Sequence, residues 1–351
     1  MTSLNESLLM IGTISPFLPG TQIQFAWDST SIGYLKTCPR LYQYTMLEGW
    51  SPKSESIHLA FGSAYHSALE SYARSRANGV SHEDSIHDVI AEILRTTADW
   101  VMDLSTKAGK YKNRATLISL VLDYLDYFVD DPTETYIMSD GRPAVELSFR
   151  FELDWGPEQG IAKDKQVCIH SEGPEGYGHL EIVETDCQSQ PYILCGHLDR
   201  VVTFNDQLFV MDHKTTTSAP GDYYFNQYEP NNQMTLYTLA GQVVLNAPIR
   251  GVIISAAQIL LEKEHRFVRG FTYRTQDQLD EWLLDLHLHL NSAEAFAEAG
   301  YWPMNDTACD KFGGCKFRGV CSKSPEVREM FLKADFVKLE LDQRWNPLAS
   351  R

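Results

Sequence analysis

Two short stretches hold the residue types that hydrolysis of a phosphate ester would need: Gly196-His197-Leu198-Asp199, and after it Asp212-His213-Lys214. Tyr192 to Phe204 and Gln207 to Thr215 read as strands, joined through Asn205-Asp206 as a two-residue hairpin turn. Side chains alternate faces along a strand, so Asp212 and Lys214 point one way and His213 the other. The hairpin brings the Asp199 carboxylate towards the Asp212 and Lys214 face. Mg2+ takes one or two carboxylates and fills the rest of its shell with water and phosphate oxygens, which suits this pair. The lysine would orient or deprotonate an attacking water, or offset developing negative charge. A D-x-K triplet alone is common on solvated strand faces. This one follows Leu208-Phe209-Val210-Met211, an apolar run expected of a strand buried on both faces. Charges at the end of such a strand are costly unless paired or metal-bound.

Cys309, Cys315 and Cys321 form a second group, separated by glycine-rich sequence without regular periodicity. Three cysteines so placed read as a ligand loop rather than core. A tetrahedral sulfur site needs four thiolates, and both zinc and iron–sulfur clusters accept them. The nearest motif-like fourth candidate is Cys38, in Cys38-Pro39. Cys168, Cys187 and Cys195 are isolated, and Cys195 lies in a strand where a buried free thiol is expected.

The elements that must position these groups follow from pattern and punctuation. A short helix is expected over Ser31 to Lys36, and Pro39 opens a second one. A longer helix covers His58 to Asn78, on which Gly62, His66 and Glu70 share a face. Two more, Ser81 to Leu104 and Asn113 to Asp130, carry apolar residues at helical spacing. Ala144 to Trp155 alternates as a strand, and 156–190 reads as an elaborated loop or hairpin. Asn231 to Asn246 reads as a helix that sets Gln233 and Tyr237 one turn apart. Strands at Gly251 to Leu261 and Arg266 to Tyr273 and an amphipathic helix from Gln276 to Glu298 complete the pattern. This order describes an α/β sandwich with a mixed sheet. His287 and His289 point to different helix faces and make no site.

A chain of 351 residues buries a sizeable core. It has no apolar run of membrane-spanning length and no signal-peptide layout, so a cytoplasmic protein with no membrane role is expected. Seven cysteines in such a chain suggest metal binding before disulfides. A net charge of −17 argues against broad coating of nucleic acid, though not against a focused groove.

These residues resemble the RecB-like branch of the PD-(D/E)XK nuclease superfamily, in particular its iron–sulfur exonuclease members. The resemblance runs through Cys38-Pro39, Phe61-Gly62-Ser63-Ala64-Tyr65-His66, Gly196-His197-Leu198-Asp199, Asp212-His213-Lys214, Gln233-x3-Tyr237 and the three late cysteines. Each motif is weak singly; the ordered set is specific. It implies a restriction-endonuclease-like core, a mixed central sheet flanked by helices, over 141–300. A flexible N-terminus (1–24), a helical region with Cys38 and His66 (25–140), a Cys-rich iron–sulfur segment (301–335) and a tail (336–351) would surround it. His66, Asp199, Asp212 and the backbone carbonyl of His213 would hold Mg2+ or Mn2+. Lys214 would be the catalytic lysine, with Gln233 and Tyr237 orienting the site or the DNA strand. Cys38, Cys309, Cys315 and Cys321 would hold a 4Fe–4S cluster.

The five-residue first spacing in the late cysteine group, where many relatives have two, leaves zinc open as the alternative. No G-x4-G-K-[ST] phosphate loop is present, so the resemblance is to a stand-alone nuclease. The implied activity is metal-dependent hydrolysis of DNA, at ends or on single strands, in recombination, repair or phage DNA processing, with recombination or replication proteins as partners. The rivals are a non-cutting DNA- or partner-binding protein on the same scaffold and a zinc-stabilised interaction protein.

Overall fold

The computed structural model describes residues 15–18, 20–53, 56–100, 104–157, 166–170, 179–183, 190–310 and 314–349. Its strands are β1 (Ala26–Trp27), β2 (Trp50–Pro52), β3 (Glu134–Thr135), β4 (Val145–Glu152), β5 (Gln166–His170), β6 (His179–Val183), β7 (Ile193–Phe204), β8 (Gln207–Thr216), β9 (Ile249–Gln258), β10 (Arg266–Tyr273) and β11 (Phe336–Lys338). The α-helices are α1 (Ser29–Thr37), α2 (Pro39–Tyr42), α3 (Ile57–Ala77), α4 (His82–Thr96), α5 (Lys107–Tyr111), α6 (Arg114–Tyr127), α7 (Asp222–Phe225), α8 (Asn232–Leu245), α9 (Gln276–Ala299), α10 (Arg318–Cys321) and α11 (Arg328–Asp335). The central sheet is mixed and flanked by helices, as the sequence pattern predicts.

The chain divides into two compact units. One comprises Ser54–Phe149 and His197–Leu279; the other comprises the chain up to Lys53, Arg150–Gly196 and Asp280 onwards. In the first unit β7 runs antiparallel to β8, β8 parallel to β9, and β9 antiparallel to β10. Asn205 and Asp206 make the β7–β8 turn with φ of 48° and 59°. A two-residue turn of this hand needs positive φ at both positions, which Asn and Asp tolerate better than bulkier residues. β9 is buried at every position but one, as befits a strand with a parallel neighbour and both faces covered.

The α3 helix lays Phe61, Tyr65, Ala68 and Leu69 against Val89 and Ile93 of α4 and Leu117, Leu120, Val121 and Tyr124 of α6. Ala257, Ile259 and Phe267 complete that core from the sheet side. Each fully buried large side chain there contributes roughly 1.5–3 kcal/mol of transfer free energy. The α4 helix stops at Thr96, short of the Leu104 that its pattern suggests. Thr97 turns its hydroxyl onto the Ile93 carbonyl, and the Arg114 guanidinium takes the Thr97 and Ala98 carbonyls. A distant arginine ends the helix.

In the second unit, Asp28 caps α1 reciprocally with Ser31, and Cys38 stands between α1 and the proline that opens α2. The α2 helix runs on into a π-helical turn over Gln43–Leu47. β1 pairs in parallel with Ile193 and Leu194, and β11 pairs antiparallel with β2. One core gathers Leu18, Ile23, Phe25, Ile193, Cys195 and Leu348; another gathers Tyr44, Trp50, Phe317, Val320, Leu332 and Phe336. β5 and β6 pair as an antiparallel hairpin within the stretch expected to be a loop or hairpin. Residues 158–165, 171–178 and 184–189 of that stretch, with Cys187, and the Cys168 side chain lie outside the described residues, as do residues 1–14 of the N-terminus expected to be loose.

Candidate active site

The hairpin register sets the first two groups. The ladder runs as far as Arg200 opposite Met211, so Asp199 and Asp212 are the next residues beyond its last pair, and Asp199 reaches across to accept from the His213 amide. β8 emerges from the core at this point: Met211 is fully buried, Asp212 is 1% exposed and Lys214 reaches its surface end. Lys214 Nζ lies 2.7 Å from Asp212 Oδ2 and donates to Oδ1 at 2.9 Å. It also donates to Gln233 Oε1 at 3.3 Å, and Gln233 Nε2 donates to the Tyr237 hydroxyl at 2.9 Å. Asn231 caps α8 by accepting from the Gln233 and Met234 amides, which fixes where the first turn, and so Gln233, begins. Asp212, Lys214, Gln233 and Tyr237 thus form one polar chain from strand to helix.

His66 comes from α3, at the margin of the face that buries Tyr65 and Leu69. Its Nδ1 is 2.9 Å from Asp199 Oδ2, and the same oxygen accepts from the His213 amide at 3.3 Å. The His213 ring points to the opposite side, edge-on to Tyr65, Tyr124 and His66 at centroid separations of 6.4, 5.6 and 6.1 Å. Burial holds the His213 ring down at about 3, so it is neutral at ordinary pH.

The charges share one cluster, in which Asp212 is buried and His66, Asp199 and Lys214 are half-buried. Burial would raise the Asp199 carboxyl, but His66, Lys214 and His213 together hold it below the usual range. Asp212 goes the other way: burial raises it, Asp199 adds repulsion, and Lys214 only partly offsets both. Burial would lower His66 and Lys214, and the two aspartates raise them instead.

Asp212 Oδ2 is buried and accepts no hydrogen bond, although the Lys214 ammonium lies beside it. A carboxylate costly to ionise, opposite a second carboxylate and near an imidazole, is the oxygen-rich donor set that Mg2+ or Mn2+ favours. The residues therefore fit such an ion in kind. Among the described residues no three His, Cys, Asp or Glu side chains converge closely enough to enclose one. Asp199 and Asp212 are instead ion-paired to His66 and Lys214.

One helical turn beyond His66, Glu70 shares a hydrogen bond with Glu146 of β4 and lies 2.6 Å from Arg74, which reaches Glu146 at 3.7 Å. Burial first, then the facing Glu146, raises Glu70 to about 8. Glu146 sits at φ of 49°, a left-handed conformation unusual for glutamate. Sequence spacing puts Glu70 on the His66 face, but Glu146 arrives there only through the pairing of β4 with β7.

The cysteines gather in the other unit. Arg40 donates to the Trp302 carbonyl at 2.7 Å, and Asn305 donates its side-chain amide to the Thr37 carbonyl at 2.9 Å and its backbone N–H to Cys38 Sγ at 3.3 Å. These bonds hold residues 302–305 on the α1–α2 corner, so that Cys309 follows close to Cys38. The Cys315 amide then donates to the Cys309 carbonyl at 2.9 Å. Burial raises the Cys309 thiol, and Cys315 and Cys38 raise it further; burial raises Cys321, with Cys315 and Cys38 adding to it against Arg40 and Arg328. All four thiols are free. Among the described residues no three of these thiols converge closely enough to enclose a metal ion. Cys195, buried and donating to the Trp27 carbonyl at 3.4 Å, stands apart from them.

A family model described as the PD-(D/E)XK nuclease superfamily matches residues 29–322. No curated protein matches the sequence. Among solved structures, that of a "Putative exonuclease" from Eubacterium rectale is 12% identical, with 94% of this chain and 98% of that chain covered. The TM-score is 0.43.

Proposed function

The chain belongs to the PD-(D/E)XK nuclease superfamily, and on that premise we propose that it is a metal-dependent deoxyribonuclease acting at DNA ends. Asp199, Asp212 and His66, with the His213 carbonyl, would hold Mg2+ or Mn2+. Such an ion supplies a Lewis acid for the phosphate and lowers the pKa of its bound water. The observation that carries the reading is the unbroken polar chain from Asp212 through Lys214 and Gln233 to Tyr237, beside a second, half-buried carboxylate. Lys214 holds a proton-bearing ammonium next to the carboxylate pair, where it orients water and offsets charge on a phosphate oxygen. Gln233 fixes the ammonium, and Tyr237 fixes the amide of Gln233. His66 keeps Asp199 ionised.

Cys38, Cys309, Cys315 and Cys321 would form a structural four-thiolate site, a 4Fe–4S cluster or zinc. The Asn305 backbone N–H on Cys38 Sγ and the Cys315 amide on the Cys309 carbonyl, which bring the late segment to Cys38, support that assignment. The test of the activity is digestion of 5′- and 3′-labelled single- and double-stranded DNA with Mg2+ or Mn2+. Release of short products from ends, stopped by chelator, is the expected result. Intact DNA under every metal condition would reject it.

A further inference from the structure

The segment that follows the catalytic strand holds an aromatic group to which the reading above assigns nothing. β8 ends at Thr216, and α7, the single turn Asp222-Tyr223-Tyr224-Phe225, begins a few residues later. Phe225 is anchored on β10: a Cβ at Gly270 would lie 2.2 Å from the Phe225 ring, so only glycine there admits it. The far end of the segment is pinned as well, since the Tyr228 carbonyl accepts from Arg274 at 2.9 Å and from the Thr272 hydroxyl at 3.3 Å. Tyr228 is buried and its hydroxyl donates to that of Tyr224 at 3.3 Å. The Tyr224 ring stands edge-on to Phe225 at 5.3 Å and to Tyr228 at 5.9 Å.

Only residues 217–221 separate α7 from the strand that carries Asp212 and Lys214, and the Tyr224 hydroxyl lies within electrostatic reach of both. On this fixed turn Tyr223 is 93% exposed. A solvated aromatic ring on a backbone held at both ends buries nothing in the folded chain, and loses little freedom on meeting a ligand.

We propose that Tyr223, held in place by the packed Tyr224, forms a stacking platform for the unpaired bases of a DNA strand whose phosphate lies at Lys214. The inference rests on the nuclease reading and adds to it a preference for single-stranded ends. Stacking suits a nuclease without sequence preference, because every base offers a π-face. It also needs no basic patch, in keeping with a chain of net charge −17. A paired base, already stacked in its duplex, gains nothing from the platform.

The test measures binding in chelator, where no cleavage intervenes, using a fluorescein-labelled oligodeoxythymidine of about 16 nucleotides and a blunt duplex of the same length. Tyr223→Ala should weaken binding of the single strand about tenfold and leave the blunt duplex unchanged, while Tyr223→Phe should restore the single strand. Wild-type affinity of Tyr223→Ala for the single strand, in a protein that cuts DNA normally, overturns the platform and spares the nuclease. Equal loss on both probes also overturns it, since that marks a general effect on the fold or the charge. A wild-type protein that neither binds nor cuts any DNA overturns the nuclease reading and the platform together.

Discussion

Lys214 has two partners with different duties. Asp212 fixes its charge, and Gln233 fixes its position. Removing the ammonium removes a preorganised charge at the reacting phosphate, an effect worth about 100-fold or more in rate. Lys214→Ala should therefore lose at least that much cleavage while circular dichroism stays at the wild-type signal. Tyr237 acts one bond further away, through Gln233. Tyr237→Phe should slow cleavage several-fold and leave the affinity for Mn2+ unaltered; an unchanged rate would make Tyr237 a packing residue only. Glu70 gives a test that needs no substrate. A carboxyl raised from 4.5 to about 8 holds a proton in the folded protein that the unfolded chain releases. Its contribution to stability is complete below about 4.5 and is lost as pH rises towards about 8. The thermal midpoint should fall across that window, and Glu70→Gln should flatten the fall.

Elements deliver these side chains, and some of that delivery is written locally. The Asn205-Asp206 turn and the alternation around it announce the β7–β8 hairpin, and with it the juxtaposition of Asp199 and Asp212. The α8 helix announces its own start at Asn231. Asn231→Ala should cost about 1 kcal/mol of stability, seen as a lower urea midpoint, and should reduce cleavage more than a surface substitution of equal cost, because the first turn holds Gln233. Other features depend on contacts far along the chain and left no local mark. The end of α4 is set by Arg114. Glu146 meets Glu70 through strand pairing. The fit of Phe225 over Gly270 depends on a segment some 45 residues earlier in the chain.

At the scale of the whole molecule, the two groups of chemical residues fall in different units, the carboxylates in one and the cysteines in the other. The late cysteines stand out by their spacing, and Cys38 joins them in sequence only as the nearest motif-like fourth candidate, in Cys38-Pro39. Its physical reason is the pair Arg40 and Asn305, which hold residues 302–305 to the α1–α2 corner. Shared ligation would close most of the chain into one loop and link metal binding to folding. Cys38→Ser should then destabilise as much as Cys315→Ser, and Cys168→Ser should be mild. Iron, zinc and acid-labile sulfide measured on anaerobically purified protein check this: full metal content in Cys38→Ser would remove it from the ligand set. Zinc without sulfide would replace the cluster.

The central claim is that Asp212 and its neighbours cut DNA with a divalent cation, and Asp212→Asn tests it most directly. The amide keeps the shape of the side chain and removes one ionisable oxygen from the buried pair. Wild-type and variant proteins are compared for Mn2+ binding and for single-turnover cleavage of an end-labelled strand. The account predicts chelator-sensitive cleavage by the wild type, with weakened Mn2+ binding and cleavage reduced by 100-fold or more in a folded Asp212→Asn. Cleavage by the variant at the wild-type rate, or cleavage that survives chelation, would contradict it.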